Sequence, residues 1–393
     1  MDWDIVISGA GLGGLCATSG LRRAGFRVLV LERDPSAFSR KQGYRININL
    51  AGDAALQKCL PAPHCALYRD TSHRQLDPSV DIFTPDLRLV AHREAEMPAS
   101  GLPPTAVDRA TLRAILLDAA GSVQFGAEVV DAIQQDNEVE VRLADGTRVT
   151  CGLLIGADGA SSTLRRRILP GRDPQPLGSV AIYGKAPLDT GRLTWLPRGI
   201  LQQRFVGVTD GAGTTLALGA WQPRRDPLEA AGALAPGVCL PGTAPFVMWV
   251  VLAPSEAVPG VVSRPEELHR FAMDALQGWD PTAVQFVRAA DVPATFRIPL
   301  RAVPSVPVWS TGRITFLGDA VHAMSPAGGE GANTAMTDAA SLVDALKAEG
   351  IGGVAAYENQ MRQRARLALE RSANYGRPAS DGDADRTGAS RYA

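Results

Sequence analysis

Three glycine-rich runs, each closing an apolar stretch, hold the residues whose types and spacing suit chemistry. The first is Gly9-x-Gly11-x-x-Gly14. Such a turn uses one glycine for the tight bend, one for close approach of backbone to a pyrophosphate and one for helix-strand packing. The helix that follows, begun by Leu12, offers unpaired N–H groups and a partial positive charge to phosphates. Glu32 lies about 20 residues on, where a carboxylate can bind both ribose hydroxyls of a dinucleotide. A chain with 40 glycines makes this spacing by chance, so context carries the reading. The match sits between a predicted strand and a predicted helix.

The second run is Gly156-Ala157-Asp158-Gly159-Ala160-Ser161-Ser162-Thr163-Leu164-Arg165. Asp158 either contacts a cofactor or closes the strand-to-helix turn and caps residues 161–167; both readings stay open. The third, Gly318-Asp319-Ala320-Val321-His322, places a short carboxylate at a strand end, where it can accept from sugar hydroxyls or cap a helix. After it, Ser325-Pro326-Ala327-Gly328-Gly329-Glu330-Gly331-Ala332-Asn333 leads into another predicted helix. His322 reads as a structural neighbour of the acid, and the other four histidines form no ligand spacing.

Elements of alternating type must position these runs. Residues 5–8 and 27–31 read as buried strands flanking a helix over 12–24, a βαβ unit with a right-handed crossover. Asp108 caps a helix over 110–120. A meander follows, with 138–143 and 147–150 joined at Asp145-Gly146 and a buried strand at 153–155. Between about 172 and 290, runs at 180–183, 202–208, 214–221 and 246–252 read as an antiparallel sheet inserted into the first unit. A strand at 313–317 and helices at 331–348 and 353–372 complete the α/β fold. Expected units are a discontinuous Rossmann-like one (1–75, 100–172, 291–375), an inserted sheet (76–99, 173–290) and a disordered tail (376–393).

Composition narrows the class. The 393 residues are 45% hydrophobic and 21% charged, which excludes wholesale disorder. A net charge of −1 gives no electrostatic case for nucleic acid or an anionic membrane. Five scattered cysteines suggest neither a disulfide framework nor a zinc site, so reduced cytoplasm is the expected location. The start lacks a signal-peptide pattern, and the longest apolar run, 246–253, is far short of the roughly 20 residues a bilayer span requires.

The three runs together, in order and spacing, resemble the single-component FAD-dependent aromatic hydroxylases, class A flavoprotein monooxygenases with the p-hydroxybenzoate hydroxylase fold (a GR2-type FAD domain). The resemblance covers nearly the whole chain. It implies a FAD site built from Gly9, Gly11, Leu12, Gly14, Glu32, Arg33, Arg45, Arg109, Asp158, Asp319, Gly329, Ala332 and Asn333. Asp319 matches the aspartate on the flavin ribityl chain, Arg109 the arginine beside flavin and pyrophosphate, and Arg45, in Gly43-Tyr44-Arg45-Ile46-Asn47, a segment passing the flavin. N–H groups of the 325–333 loop would face the flavin N1/C2=O edge. NADPH or NADH would reduce FAD, O₂ would add at C4a, and the hydroperoxide would oxygenate an electron-rich aromatic small molecule. Phe205, Trp221, Met248 and Trp249 are candidates to roof the substrate pocket, each also explicable as plain core. No general base is assigned, and no metal.

Epoxidation and Baeyer–Villiger insertion on the same fold are alternatives, as is a plain flavin oxidoreductase. A flavin-dependent halogenase needs a Trp-x-Trp-x-Ile-Pro run, absent here, and an essential lysine, of which there are four candidates. A nicotinamide dehydrogenase has no use for the Gly318-Asp319 run. Only a helix and short tail follow Ala348, so dimerisation through an appended domain is not implied; monomer or weak homodimer is expected.

Overall fold

The computed structural model describes residues 1–39, 43–74, 77–93, 105–188, 203–258 and 264–374. The expected tail at 376–393 lies outside them. Strand β1 (Trp3–Ser8) enters helix α1 (Leu12–Arg23) and returns through β2 (Val28–Glu32). β3 (Arg45–Ile48), α2 (Leu50–Cys59), α3 (Ala62–Asp70) and the hairpin β4 (Asp77–Phe83) and β5 (Leu89–Arg93) precede β6 (Thr105–Asp108) and α4 (Arg109–Ala120). Next come β7 (Gln124–Phe125), β8 (Val129–Gln134), β9 (Val139–Leu143), β10 (Arg148–Gly156) and α5 (Thr163–Ile168). β11 (Gln175–Pro187), β12 (Gln203–Thr209), β13 (Thr215–Trp221), α6 (Pro227–Leu234) and β14 (Phe246–Pro254) lead to α7 (Pro265–Ala275) and α8 (Pro281–Arg288). The chain ends through β15 (Phe296–Ala302), β16 (Ile314–Phe316), the single turn α9 (Asp319–His322), α10 (Glu330–Glu349) and α11 (Val354–Asn374).

The first seven-stranded sheet runs β7-β2-β1-β10-β9-β8, with β16 also on β10. Strands β1, β2, β7, β10 and β16 pair in parallel, while β8 and β9 form the expected antiparallel meander. Two expected strands merge here: β10 is continuous, pairing with β9 through its first half and with β16 through its last three residues. That brings the C-terminal ends of β1, β10 and β16, and so all three glycine runs, to one edge of the sheet.

The second sheet runs β15-β11-β14-β13-β12-β4-β5. It differs from the expected antiparallel sheet in one pair, β4 with β12, which is parallel. β15 pairs with β11, so this sheet takes residues 296–302, assigned from sequence to the other unit. Helices α7 and α8, also not foreseen, cover its outer face, where Ile182, Val247, Trp249 and Val251 pack with Leu268, Ala272, Val284 and Val287. The inner face carries Ala181, Tyr183, Ala217, Trp221, Phe246, Met248 and Val250. This is the period-two alternation of a strand written across three neighbours.

A two-stranded ribbon of β3 and β6 lies between the sheets, with Arg45 opposite Asp108. Among the described residues no helix is long and apolar enough to cross a membrane.

Candidate functional site

The strand ends open on a cavity of about 530 Å³, within the roughly 300 to 1,000 Å³ typical of cofactor sites. Its wall includes Gly9, Gly11, Leu12, Gly14, Glu32, Arg33, Arg109, Asp158, Asp319 and Ala332. Ten of the thirteen residues expected around the cofactor therefore meet at one place. Arg45, Gly329 and Asn333 do not.

The three glycines divide their work as the turn chemistry requires. Gly9 has φ +109°, and a Cβ there would fall 2.4 Å from the Ala157 carbonyl oxygen. A Cβ on Gly14 would fall 2.2 Å from the Gly9 carbonyl oxygen, so helix and strand touch only because it has none. A Cβ on Gly11 would meet nothing within 4 Å. Gly11 is also the N-cap of α1 and supplies no side-chain cap. The first turn of α1 thus presents backbone N–H groups across open space, as a pyrophosphate needs.

Carboxylates surround that turn. Glu32, 7% exposed, accepts from the Ala10 N–H at 2.7 Å and the Asp34 N–H at 2.9 Å, which fixes its head at the cavity wall. Asp158 is placed where either role is open to it. One oxygen accepts from Leu164 N–H at the start of α5 (3.3 Å), and the other is buried at the cavity wall with no hydrogen-bond partner among the described residues. Burial pushes its carboxyl above the usual range. Asp319 has protein around it, yet its side chain is exposed to the cavity. Burial raises its pKa, and the charges of His322 and Arg109 pull the other way.

A buried network behind the wall anchors the Gly318-Asp319 turn through the Gly318 N–H. His322, fully buried, is hydrogen-bonded to Asp338 at 2.6 Å, and Asp338 also binds Arg364 at 3.0 Å and the Gly318 N–H at 3.2 Å. Burial lowers the His322 pKa, but the Asp338 charge and hydrogen bond, with the Asp319 charge, outweigh it and leave a net rise. His322 is a support of the acid run, not part of the cavity wall.

The three residues outside the cavity wall have other surroundings. Asn333 is 2% exposed and fully used: Nδ2 donates to the carbonyls of Asn47 and Gly329 at 2.9 Å, and Oδ1 accepts from Asn49 N–H at 3.0 Å. It ties α10 to β3. Gly329 is the left-handed N-cap of α10, and Gly331 with Ala332 forms the wall instead. Arg45, 3% exposed, turns to the second sheet, where a Cβ on Gly219 would lie 3.0 Å from its Nη1.

Two arginines were missed. Arg113, one turn after Arg109 on α4, lines the cavity and donates to the Ala10 carbonyl at 3.1 Å and to the Ala37 carbonyl. The i, i+4 spacing was the available signal. Arg165, fully buried, joins the second and third runs through the carbonyls of Ala320 (2.9 Å) and Ala160 (3.0 Å), with Asp173 at 2.6 Å.

Of the four roof candidates, none lines this cavity. Phe205, Trp221 and Met248 share the inner face of the second sheet. Trp249 is corrected: it packs under α7 and α8, because successive residues of a strand face opposite ways. The inner face meets the cavity at Tyr44 and Ile298, where the Tyr44, Tyr183 and Phe296 rings lie 5.2 to 5.8 Å apart.

A Rossmann-like sheet with a glycine cradle and strand-end carboxylates, beside a second sheet, defines a dinucleotide-cofactor protein. Residues 2–195 and 300–372 match the FAD binding domain family, and the chain belongs to it. Among its relatives is the FAD-dependent monooxygenase atnJ of Arthrinium sp., 30% identical over 359 residues (87% of this chain, 75% of that protein). The dual O-methyltransferase/FAD-dependent monooxygenase CTB3 of Cercospora beticola is 29% identical over 94% of this chain. The chain spans 45% of that protein and about half the length of several other curated relatives. A Photorhabdus luminescens structure described as a FAD containing monooxygenase superposes with a TM-score of 0.79 at 28% identity, covering 94% of this chain and 96% of that one. The residues of the cavity fit FAD: an open glycine cradle, a buried carboxylate oxygen without a hydrogen-bond partner among the described residues and an acid open to the cavity.

Proposed function

We propose that this chain is a FAD-dependent monooxygenase that uses NADH or NADPH and O₂ to hydroxylate an aromatic, phenolic or polycyclic, small molecule. One observation carries the reading: the FAD cavity and the aromatic inner face of the second sheet share a border at Tyr44 and Ile298. Bound FAD supplies the oxygen-activating redox chemistry. The chain's own residues bind, orient and dry the site. The α1 N-terminus receives phosphate, Glu32 and Asp319 accept from sugar hydroxyls, and Arg109 and Arg113 hold the turn and its charge. The Tyr44, Tyr183 and Phe296 rings exclude water on the substrate side.

The first unit (1–75, 100–172, 291–375) holds the cofactor in this account, and the sheet segments (76–99, 173–290), joined by β15, present the substrate. Epoxidation is the second reading, favoured by the likeness to the zeaxanthin epoxidase of Oryza sativa subsp. japonica, 28% identical over 361 residues. Monomer or weak homodimer is the proposed state, read by sedimentation. The test is an absorbance scan after FAD reconstitution, followed by NAD(P)H oxidation with aromatic acids, phenols and polyketide intermediates. A flavin spectrum and substrate-stimulated oxidation support the reading; a colourless protein sinks it.

A further inference from the structure

The inner face of the second sheet is mostly apolar among the described residues, and two cations enter it. In the register of β13, β14 and β11, Gly219 lies beside Met248 and Met248 beside Lys185, so the three form one row of one face. Arg45 packs against the Gly219 end. Lys185 closes the other end, with its Nζ 4.1 Å from the centre of the Phe246 ring and its side chain 18% exposed.

Among the described residues this ammonium has donors to spare. Its hydrogen-bond partner among the described residues is Asp108, whose Oδ1 is 3.4 Å away, longer than the ~2.7–2.9 Å of a tight charge-assisted bond. Asp108 is held off by its other task. Its Oδ2 caps α4, accepting from the Thr111 N–H and hydroxyl at 3.0 Å each. An ammonium has three N–H donors, and one long contact does not use them.

Position matters as much as charge. A Cβ on Gly43 would lie 3.0 Å from the Lys185 Nζ, so the ammonium sits against both Gly43 and Asp108. Each directly precedes a residue of the FAD cavity wall, Tyr44 and Arg109. Lys185 is thus a cation on the substrate sheet, at the seam with the cofactor site, over an aromatic ring.

We propose that Lys185 is the residue that selects an ionised substrate: the aromatic ligand bears a phenolate or carboxylate oxygen, which the Lys185 ammonium receives. This rests on the monooxygenase reading and deepens it. An ionised ring oxygen placed there also raises the electron density of the ring, which electrophilic oxygen transfer needs.

The test uses FAD-reconstituted protein titrated with two matched pairs, 2-naphthoate against 2-naphthamide and pentafluorophenol against pentafluoroanisole, followed by perturbation of flavin absorbance. The first pair reports a carboxylate, the second a phenolate. At least one anion binds about tenfold or more tighter than its neutral partner in the wild type. Lys185→Met removes that preference and leaves the neutral partner within about twofold, and Lys185→Arg restores part of it. Flavin content and melting temperature check folding, and the wild-type preference stands without any variant. Equal affinity within both pairs, no perturbation by any probe, or a preference that survives Lys185→Met overturns the proposal. Equal weakening of acid and amide in Lys185→Met also overturns it, making Lys185 a strut between β11 and α4. Failure to bind flavin would instead overturn the monooxygenase reading, and this inference with it.

Discussion

The two seven-stranded sheets build their sites at different levels of structure. In the first, the site lies at the strand ends and is largely backbone: a cradle of N–H groups, with Glu32, Asp158 and Asp319 around it. In the second, the proposed substrate surface is a face, and each residue's part depends on which way it points. Met248 and Trp249 are neighbours in sequence and lie on opposite sides of the sheet. A strand-end site survives small errors of register, whereas a face is inverted by a shift of one residue.

Substitutions can break or sharpen that contrast. The largest effect is expected in the network behind the first site. Asp338→Ala leaves His322 and Arg364 without their shared carboxylate in a buried setting and should cost about 3–5 kcal/mol in denaturant unfolding. A cost below about 1 kcal/mol would mean the network does not anchor the Gly318-Asp319 turn. Trp249→Ala should also cost roughly 3–5 kcal/mol, from the cavity left under α7 and α8. Flavin content and aromatic-ligand affinity should stay unchanged in it, while Met248→Ala alters ligand affinity; the reverse would put Trp249 on the substrate face.

Gly14→Ala forces a Cβ into the Gly9 carbonyl, with an expected cost of about 1–3 kcal/mol and loss of bound flavin by absorbance ratio. Retained flavin would remove the cradle from the account. The smallest effect concerns His73, which joins the regions by accepting the Gln222 N–H at 2.8 Å at the end of β13. Burial, then the Arg45 charge, lowers its pKa to about 3. The unfolded chain takes up a proton below pH ~6.5 that the fold refuses, so stability should fall as pH drops from there toward 3. Over the first pH unit the loss is about 1 kcal/mol, and His73→Gln should lack it; parallel curves for the two proteins would contradict the assignment.

The cofactor side was legible because its demands fall on residue type. Only glycine fits at Gly9 and Gly14, so their spacing between a predicted strand and helix located them, while the family resemblance pointed to Asp158 and Asp319. Arg165 and Asn333 were harder: both act through carbonyls of segments distant in sequence, which no local pattern encodes. Arg45 was misplaced for the same reason, since its direction is set by the room at Gly219. On the substrate side the strands were visible but their faces were not. Helices α7 and α8 were hidden in a segment taken as wholly strand, although Pro265 and Pro281 open them at positions that favour a helix start.

The central claim is that these two sites cooperate in transferring oxygen from O₂ to an aromatic ring. It is tested most directly by turnover of FAD-reconstituted protein with NADH or NADPH under ¹⁸O₂, with an ionisable aromatic that stimulates oxidation and mass spectrometry of the product. The account expects one labelled oxygen atom in the product, in proportion to the reduced nicotinamide consumed. Nicotinamide oxidation that yields only peroxide with every aromatic tried, or product oxygen drawn from water, would contradict it.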